Sequence, residues 1–279
     1  VFCDLWLHNH EAATPAGSIP HQIAGAIDQT FSREPFNGGV PREPPWAIKL
    51  YNGGNFTDPQ SVPESDWPAI ADLCEPFDQV IIENHATMCG PRLLKFQDRL
   101  KSRLEVAVGL ETANEDVLSR QQKKMTLLDF DRAAKFVLDH DMDLRCFTML
   151  QLPYSDADRS VEDSFASVQH AVGAGASFVA IIPTRHTTGA MQDLIDSGDH
   201  QPPNLRQLER ALFESLRWLG VTQSDAVVIA DTWDIESMIG CRICQSRTIT
   251  NIQTMNTAQR PSSIEPCESC DLDVRAPWP

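Results

Sequence analysis

Six short runs of apolar, largely β-branched residues punctuate the chain: Ala47–Tyr51, Gln79–Glu83, Leu104–Gly109, Leu144–Leu150, Phe178–Ile182 and Ala226–Ala230. They are near-continuous rather than alternating, the pattern of parallel strands covered on both faces. Between them, apolar residues recur at three- and four-residue spacing. This predicts helices over Ile19–Phe31, Ser65–Cys74, Arg92–Ser102, Leu127–His140, Val161–Val172 and Leu205–Leu219. Strand and helix thus alternate, and the fold class is α/β with a parallel sheet. A doubly wound sheet and a (β/α) barrel share this rhythm. The polar positions separate them. Asn52–Phe56, Glu83, Glu111, Gln151 and Thr184–Arg185 all fall just past strand ends, where barrel enzymes place their sites. A partial, TIM-like parallel barrel is therefore expected. Pro41–Pro45, Pro202-Pro203 and Pro261–Pro266 mark loops. After Asp234 the rhythm stops and the chain turns rich in Cys, Thr and Gln. The expected division is a barrel domain over 1–234 and a cysteine-rich, metal-binding segment over 235–279.

Composition narrows the picture only in places. A chain of 279 residues suits one large domain with an appendage. No apolar run approaches the roughly 18 residues that span a bilayer, and no signal peptide is visible, so a cytoplasmic protein with no membrane partner is expected. The formal charge of −16 repels phosphate-rich partners. Direct nucleic-acid binding then needs a local basic patch or a second subunit. Eight cysteines in a chain of this size point to metal chemistry rather than a disulfide framework.

Four of those cysteines form two knuckles, Cys241-Arg-Ile-Cys244 and Cys267-Glu-Ser-Cys270, with 22 residues between them. Four thiolates so spaced can close tetrahedrally on Zn²⁺ and fold a tail too small to hold a core alone. An auxiliary iron–sulfur cluster uses the same ligand type; unrelated reduced cysteines and two reversible disulfides are the remaining alternatives. Glu83, Glu111, Asp231 and Asp234 are carboxylates at or after strand ends, suited to acid–base work or to ribose hydroxyls. Asp231 and Asp234 flank Trp233 and are equally suited to capping a helix. Arg145 falls inside a strand, where a buried cation needs a partner, either a ligand carboxylate or an internal salt bridge. His85 and His186 lie in loops beside the strand ends, with solvent or substrate as their contacts. Cys74, Cys89 and Cys146 read as structural, and the His8/His10 pair gives weak support for a metal.

The chain begins Val1-Phe2-Cys3-Asp4-Leu5-Trp6, which matches the tail of C-x3-C-x-φ-C. The middle cysteine of that pattern falls one residue before Val1, so the start of the motif is expected to lie upstream. Lys49-Leu50-Tyr51-Asn52-Gly53-Gly54-Asn55-Phe56 ends an apolar run in two glycines. Ile81-Ile82-Glu83-Asn84-His85, Val108-Gly109-Leu110-Glu111-Thr112 and Ile182-Pro183-Thr184-Arg185 follow in order. Asn114-Glu115-Asp116-Val117-Leu118 and Met125-Thr126 come after the Gly-Leu-Glu-Thr segment. This ordered set resembles the branch of the radical S-adenosylmethionine (radical SAM) family that contains the Elongator catalytic subunit and the archaeosine synthase radical SAM subunit.

The resemblance implies a [4Fe–4S] cluster with Cys3 among three thiolate ligands, and S-adenosylmethionine (AdoMet) on the open iron. Phe2 would pack near the adenine, and Asn52, Gly53, Gly54 and Asn55 would hold the methionine amine. Glu83 and Glu111 would line the cofactor site, and Arg145 would face the AdoMet carboxylate. Asn55 departs from the commoner Gly-Gly-Glu form, which shifts the amine toward backbone carbonyls. The implied activity is reductive cleavage of AdoMet, fed by an external one-electron reductant, followed by hydrogen abstraction. The substrate is not readable; a modified tRNA nucleoside follows from the relatives only. No side chain is named as catalytic, and without the upstream cysteines this stretch alone is expected to be inactive. A non-catalytic, zinc-binding α/β-barrel partner subunit is the alternative. A hydrolase using Glu83 and Glu111 ranks last, since it leaves the cysteine remnant and the Gly-Gly loop unexplained.

Overall fold

The computed structural model describes residues 12–32, 46–185 and 189–270. Phe2, Cys3, His8, His10 and His186 lie outside the described residues. The six predicted strands are present as β1 (Ala47–Leu50), β2 (Gln79–Glu83), β3 (Arg103–Glu111), β4 (Asp143–Leu150), β5 (Phe178–Pro183) and β6 (Val227–Ala230). They lie in sequence order in one sheet. Registers are parallel, with Ala47 opposite Gln79, Gln79 opposite Arg103 and Phe178 opposite Val227. The continuous apolar runs have a physical cause. Val80, Ile81 and Ile82 are consecutive, so they point to opposite faces, and all three are buried. A parallel sheet ordered by sequence with helical crossovers is the topology of a partial (β/α) barrel.

Helices α1 (Ser18–Phe31), α2 (Trp67–Cys74), α3 (Pro91–Gln97), α4 (Glu115–Arg120), α5 (Leu127–Asp139), α6 (Ser160–Gly173), α7 (Gly189–Asp196), α8 (Leu205–Thr222) and α9 (Gln245–Ala258) fill the crossovers and the tail. The periodicity overshot at α3, which stops at Gln97 rather than Ser102. Arg99 and Leu100 N–H groups already bond three residues back, tightening the last turn. The Ser102 hydroxyl then bonds the carbonyls of Cys74 and Phe77, turning the chain into β3. Helix α9 was missed in the Cys-, Thr- and Gln-rich tail. Its apolar stripe is only Ile252 and Met255, with Thr248 one turn earlier, too narrow to read against polar neighbours.

The described residues gather into two compact units. One holds the chain up to 109 together with 128–145, including β1, β2, α2, α3 and α5. At its core the rings of Phe56 and Phe96 lie 4.6 Å apart, and those of Trp67 and Phe96 5.7 Å apart. Phe56 directly follows the Gly-Gly loop and is buried, so it pins the loop's exit.

The other unit holds 110–127 and the chain from 146 on. Here α8 packs on α6, α9, β5 and β6. Its start is fixed by a reciprocal capping box between Asn204 and Gln207. Helix α9 solves an edge problem. Asn256 accepts from the Ala230 N–H and donates to its carbonyl, both at 2.8 Å. Gln259 does the same to Val228 at 3.0 and 3.1 Å. Two carboxamides thus stand in for a neighbouring strand along β6 and satisfy groups an exposed edge would leave unpaired.

Candidate functional site

The loop after β1 is built on one carboxylate. Glu83, the last residue of β2, takes the N–H of Asn52 at 2.9 Å and of Gly54 at 3.1 Å on the same oxygen. Burial pushes the Glu83 carboxyl above its ordinary range, and the amides of Asn52, Gly53 and Gly54 pull it only part of the way back. The Phe56 N–H donates to the Glu83 carbonyl, and the Asn55 side chain accepts from the His85 N–H at 2.5 Å. Next to them, Asn84 and Thr57 exchange side-chain and backbone hydrogen bonds.

Gly53 has φ 69°, left-handed backbone that glycine adopts without strain. Gly54 is different: among the described residues a Cβ there would meet nothing within 4 Å. The packing of the described residues therefore does not require glycine at 54 and leaves room beside it for a ligand. Asn52 adds a buried side-chain oxygen with no partner among the described residues. The structure thus brings together Asn52, Gly53, Gly54, Asn55, Glu83 and His85, as a loop whose backbone is held by Glu83 and which the other described residues leave uncovered at Gly54.

Arg145 is paired internally. Its guanidinium grips both oxygens of Glu105, at 2.8 and 3.3 Å, with both side chains buried. Of the two partners considered for this cation, the internal one is in place. Glu111, at the end of β3, forms an ion pair with Lys123 and has φ 66°. Lys123 carries no sequence signal that would have identified it. Burial raises the thiols of Cys74, Cys89 and Cys146 to about 12, so each stays protonated, as expected of structural cysteines.

At the ends of β4, β5 and β6 a second polar set is tied together within one unit. The Thr184 hydroxyl bonds the carbonyls of Leu150 and Gln151. Arg185 donates to Asp231 at 2.9 Å and to the Trp233 carbonyl at 2.5 Å. Asp231 also accepts the Trp233 N–H, so it fixes this turn, while Asp234 holds the Ser237 hydroxyl.

The tail cysteines converge. The sulfurs of Cys241, Cys244, Cys267 and Cys270 all lie within 4.8 Å of one another. Cys241 and Cys267 are 3.9 Å apart, Cys244 and Cys270 3.5 Å. Four sulfurs about 2.3 Å from one tetrahedral ion stand about 3.8 Å from each other. The set therefore fits a single ion; a four-iron cube with thiolates on its outer corners needs a wider ring. Nearby backbone N–H groups of Ile243 and Cys244 favour the Cys241 thiolate, while desolvation and crowding by the other sulfurs push the Cys270 thiol up, so in the metal-free group the four sulfurs do not all ionise together.

No family model matches the chain. It is 23% identical over 167 residues to archaeosine synthase subunit beta of Thermococcus kodakarensis, a match covering 58% of this chain and 52% of that protein. The chain thus spans about half the length of this curated relative. Among solved structures it is similar to the archaeal Elp3 of Methanocaldococcus infernus, with a TM-score of 0.62 and 12% identity over 87% of this chain and 60% of that one. Methylornithine synthase aligns with a TM-score of 0.51 and 10% identity over 89% of this chain and 74% of that one. These findings agree with the resemblance read from the motifs: the chain is similar in sequence to archaeosine synthase subunit beta, and its partial-barrel fold is similar to that of the archaeal Elp3. No helix among the described residues is long and apolar enough to cross a membrane.

Proposed function

We propose that this chain, over 1–234, is the core of a radical SAM enzyme, with the Gly53-Gly54 loop as the seat of the AdoMet methionine amine. The observation that carries the reading is the Glu83 loop anchor. A carboxylate is held half-buried against its own desolvation, directly under a loop that the described residues leave open beside Gly54. A ligand ammonium would supply a counter-charge that no ion pair among the described residues gives Glu83, and would donate to the loop's carbonyls. In this arrangement Glu83 fixes the loop and balances the charge, Phe56 keeps it rigid from behind, and Asn55 closes it against β2 rather than reaching the ligand. When bound, a [4Fe–4S] cluster supplies the electron for reductive AdoMet cleavage and hydrogen abstraction.

Residues 235–279 form a zinc-bound tail in this reading, with a structural role. The relative is named as a subunit of an archaeosine synthase, and a modified nucleoside in tRNA is the corresponding substrate class here. The charge of −16 then places tRNA attraction on a second subunit. A cytoplasmic enzyme drawing on an external one-electron reductant fits these requirements.

The test uses the protein expressed from its full reading frame and loaded anaerobically with iron and sulfide. AdoMet binding is followed by calorimetry, and 5′-deoxyadenosine is measured after adding dithionite. Gly54→Val should abolish AdoMet binding while keeping the cluster. Wild type that carries a cluster but neither binds AdoMet nor forms 5′-deoxyadenosine would leave the non-catalytic partner subunit as the better reading.

A further inference from the structure

The two cysteine knuckles are joined by a helix that leads away from the first of them. Helix α9 starts directly after Cys244 and has 14 residues, so at about 1.5 Å per residue it carries the chain about 21 Å off. Residues 259–266 must bring it back to Cys267, and they form neither helix nor strand. Extended, roughly eight residues reach about 27 Å. The return is therefore drawn out along α9, with no ladder of its own to hold it.

Side chains from two helices hold it instead. On α9, Asn251 donates to the Ser263 carbonyl at 3.4 Å, and Arg247 donates to the carbonyls of Glu265 and Pro266 at 3.3 and 3.1 Å. On α8, the buried Arg206 donates to the same Glu265 carbonyl at 2.7 Å while paired with Glu209. Glu209 in turn accepts from Asn251 at 2.8 Å, which ties the two helices together behind the return.

Arg247 differs from Arg206 in one respect. It is exposed and makes no ion pair with a carboxylate among the described residues, in a chain where 39 acidic residues outnumber 23 basic ones. It stands three residues after Cys244, and its two acceptors immediately precede Cys267. A divalent ion on four thiolates is a dianion, and an uncommitted guanidinium beside it is the matching counter-charge.

We infer that Arg247 is a positioning residue of the tail metal group. It lashes the second knuckle to the first turn of α9, and its charge balances the metal tetrathiolate. Because the return is fixed beforehand, an arriving ion does not have to order it, and affinity rises by that saving. This role presupposes the zinc-bound tail proposed above.

The test uses the protein expressed from its full reading frame, stripped of metal and titrated with Zn²⁺ against a competing chelator. The tetrahedral four-thiolate absorption of Co²⁺ identifies the site, and uptake that persists in Cys244→Ser is subtracted. Arg247→Met should weaken zinc binding by about tenfold, the usual scale for groups that orient metal ligands. Arg247→Lys, which keeps the charge and a donor, should stay within a few-fold of wild type. Arg260→Met makes the same change in net charge elsewhere in the tail and should match wild type. All three positions are exposed or conservatively changed, so the variants keep the fold, which circular dichroism verifies. Equal zinc affinity in Arg247→Met and wild type would overturn the inference and leave the zinc tail standing. So would an equal loss in Arg247→Lys, or an equal loss in Arg260→Met. Wild type that takes up neither ion would refute the zinc tail itself, and the role of Arg247 with it.

Discussion

Replacing Glu83 tests the loop anchor without any cofactor. Its carboxylate oxygen takes two backbone N–H groups, from Asn52 at 2.9 Å and Gly54 at 3.1 Å. Hydrogen bonds to a charged acceptor contribute about 1.5–3 kcal/mol each. Gly54 is exposed, so its N–H finds water once Glu83 is gone; Asn52 is half-buried and recovers less. The desolvation of the carboxylate is relieved at the same time, so Glu83→Ala should cost about 1–2 kcal/mol net. Glu83→Gln keeps one acceptor oxygen and removes the charge, so at neutral pH it should lie within about 1 kcal/mol of wild type.

The pH dependence gives the sharper check. Burial raises the folded Glu83 pKa above its unfolded value of about 4.3. Between those two values the folded state binds more protons than the unfolded state, so this residue's contribution to stability falls as pH rises. Glu83→Gln lacks that slope and should gain on wild type as pH goes from 4 through 5.5 to 7. Urea unfolding at the three pH values, followed by circular dichroism, measures the difference with every other carboxylate held common. Wild type gaining on Glu83→Gln as pH rises would mean the amides outweigh burial, and the argument for a missing cation above Gly54 would collapse. So would an unfolding midpoint of Glu83→Ala equal to wild type.

The tail should carry about one zinc per chain as purified, and Cys244→Ser should release it and loosen α9; elemental analysis finding iron without zinc would reverse the assignment. Asn256→Ala removes both bonds to Ala230 and should cost about 2 kcal/mol in urea unfolding, with faster amide exchange at Ala230; unchanged exchange there would show that α9 does not cover the strand edge. Arg145→Met leaves Glu105 buried and unpaired and should cost about 3–5 kcal/mol, whereas the double change Arg145→Met with Glu105→Leu should recover most of it; no recovery would mean the guanidinium has a further partner that matters more.

The strands were legible because a parallel sheet buries both faces, and that leaves a local mark: Val80-Ile81-Ile82 is apolar without alternation. The Gly-Gly turn and the two cysteine knuckles were legible because their spacing is itself the chemical requirement, a backbone bend in one case and paired thiolates in the other. What the sequence could not show are pairings between positions far apart in it. Glu83 is 31 residues from Asn52, Arg145 is 40 from Glu105, and Asn256 is 26 from Ala230. Each of these side chains had several plausible partners, and its own neighbours do not distinguish them. Asn55 shows the same limit at short range, since its carboxamide goes to the His85 backbone rather than replacing the glutamate of the commoner loop. Buried charges and carboxamides take whichever partner the fold brings within about 3 Å, and that distance exists only once the strands have been laid side by side.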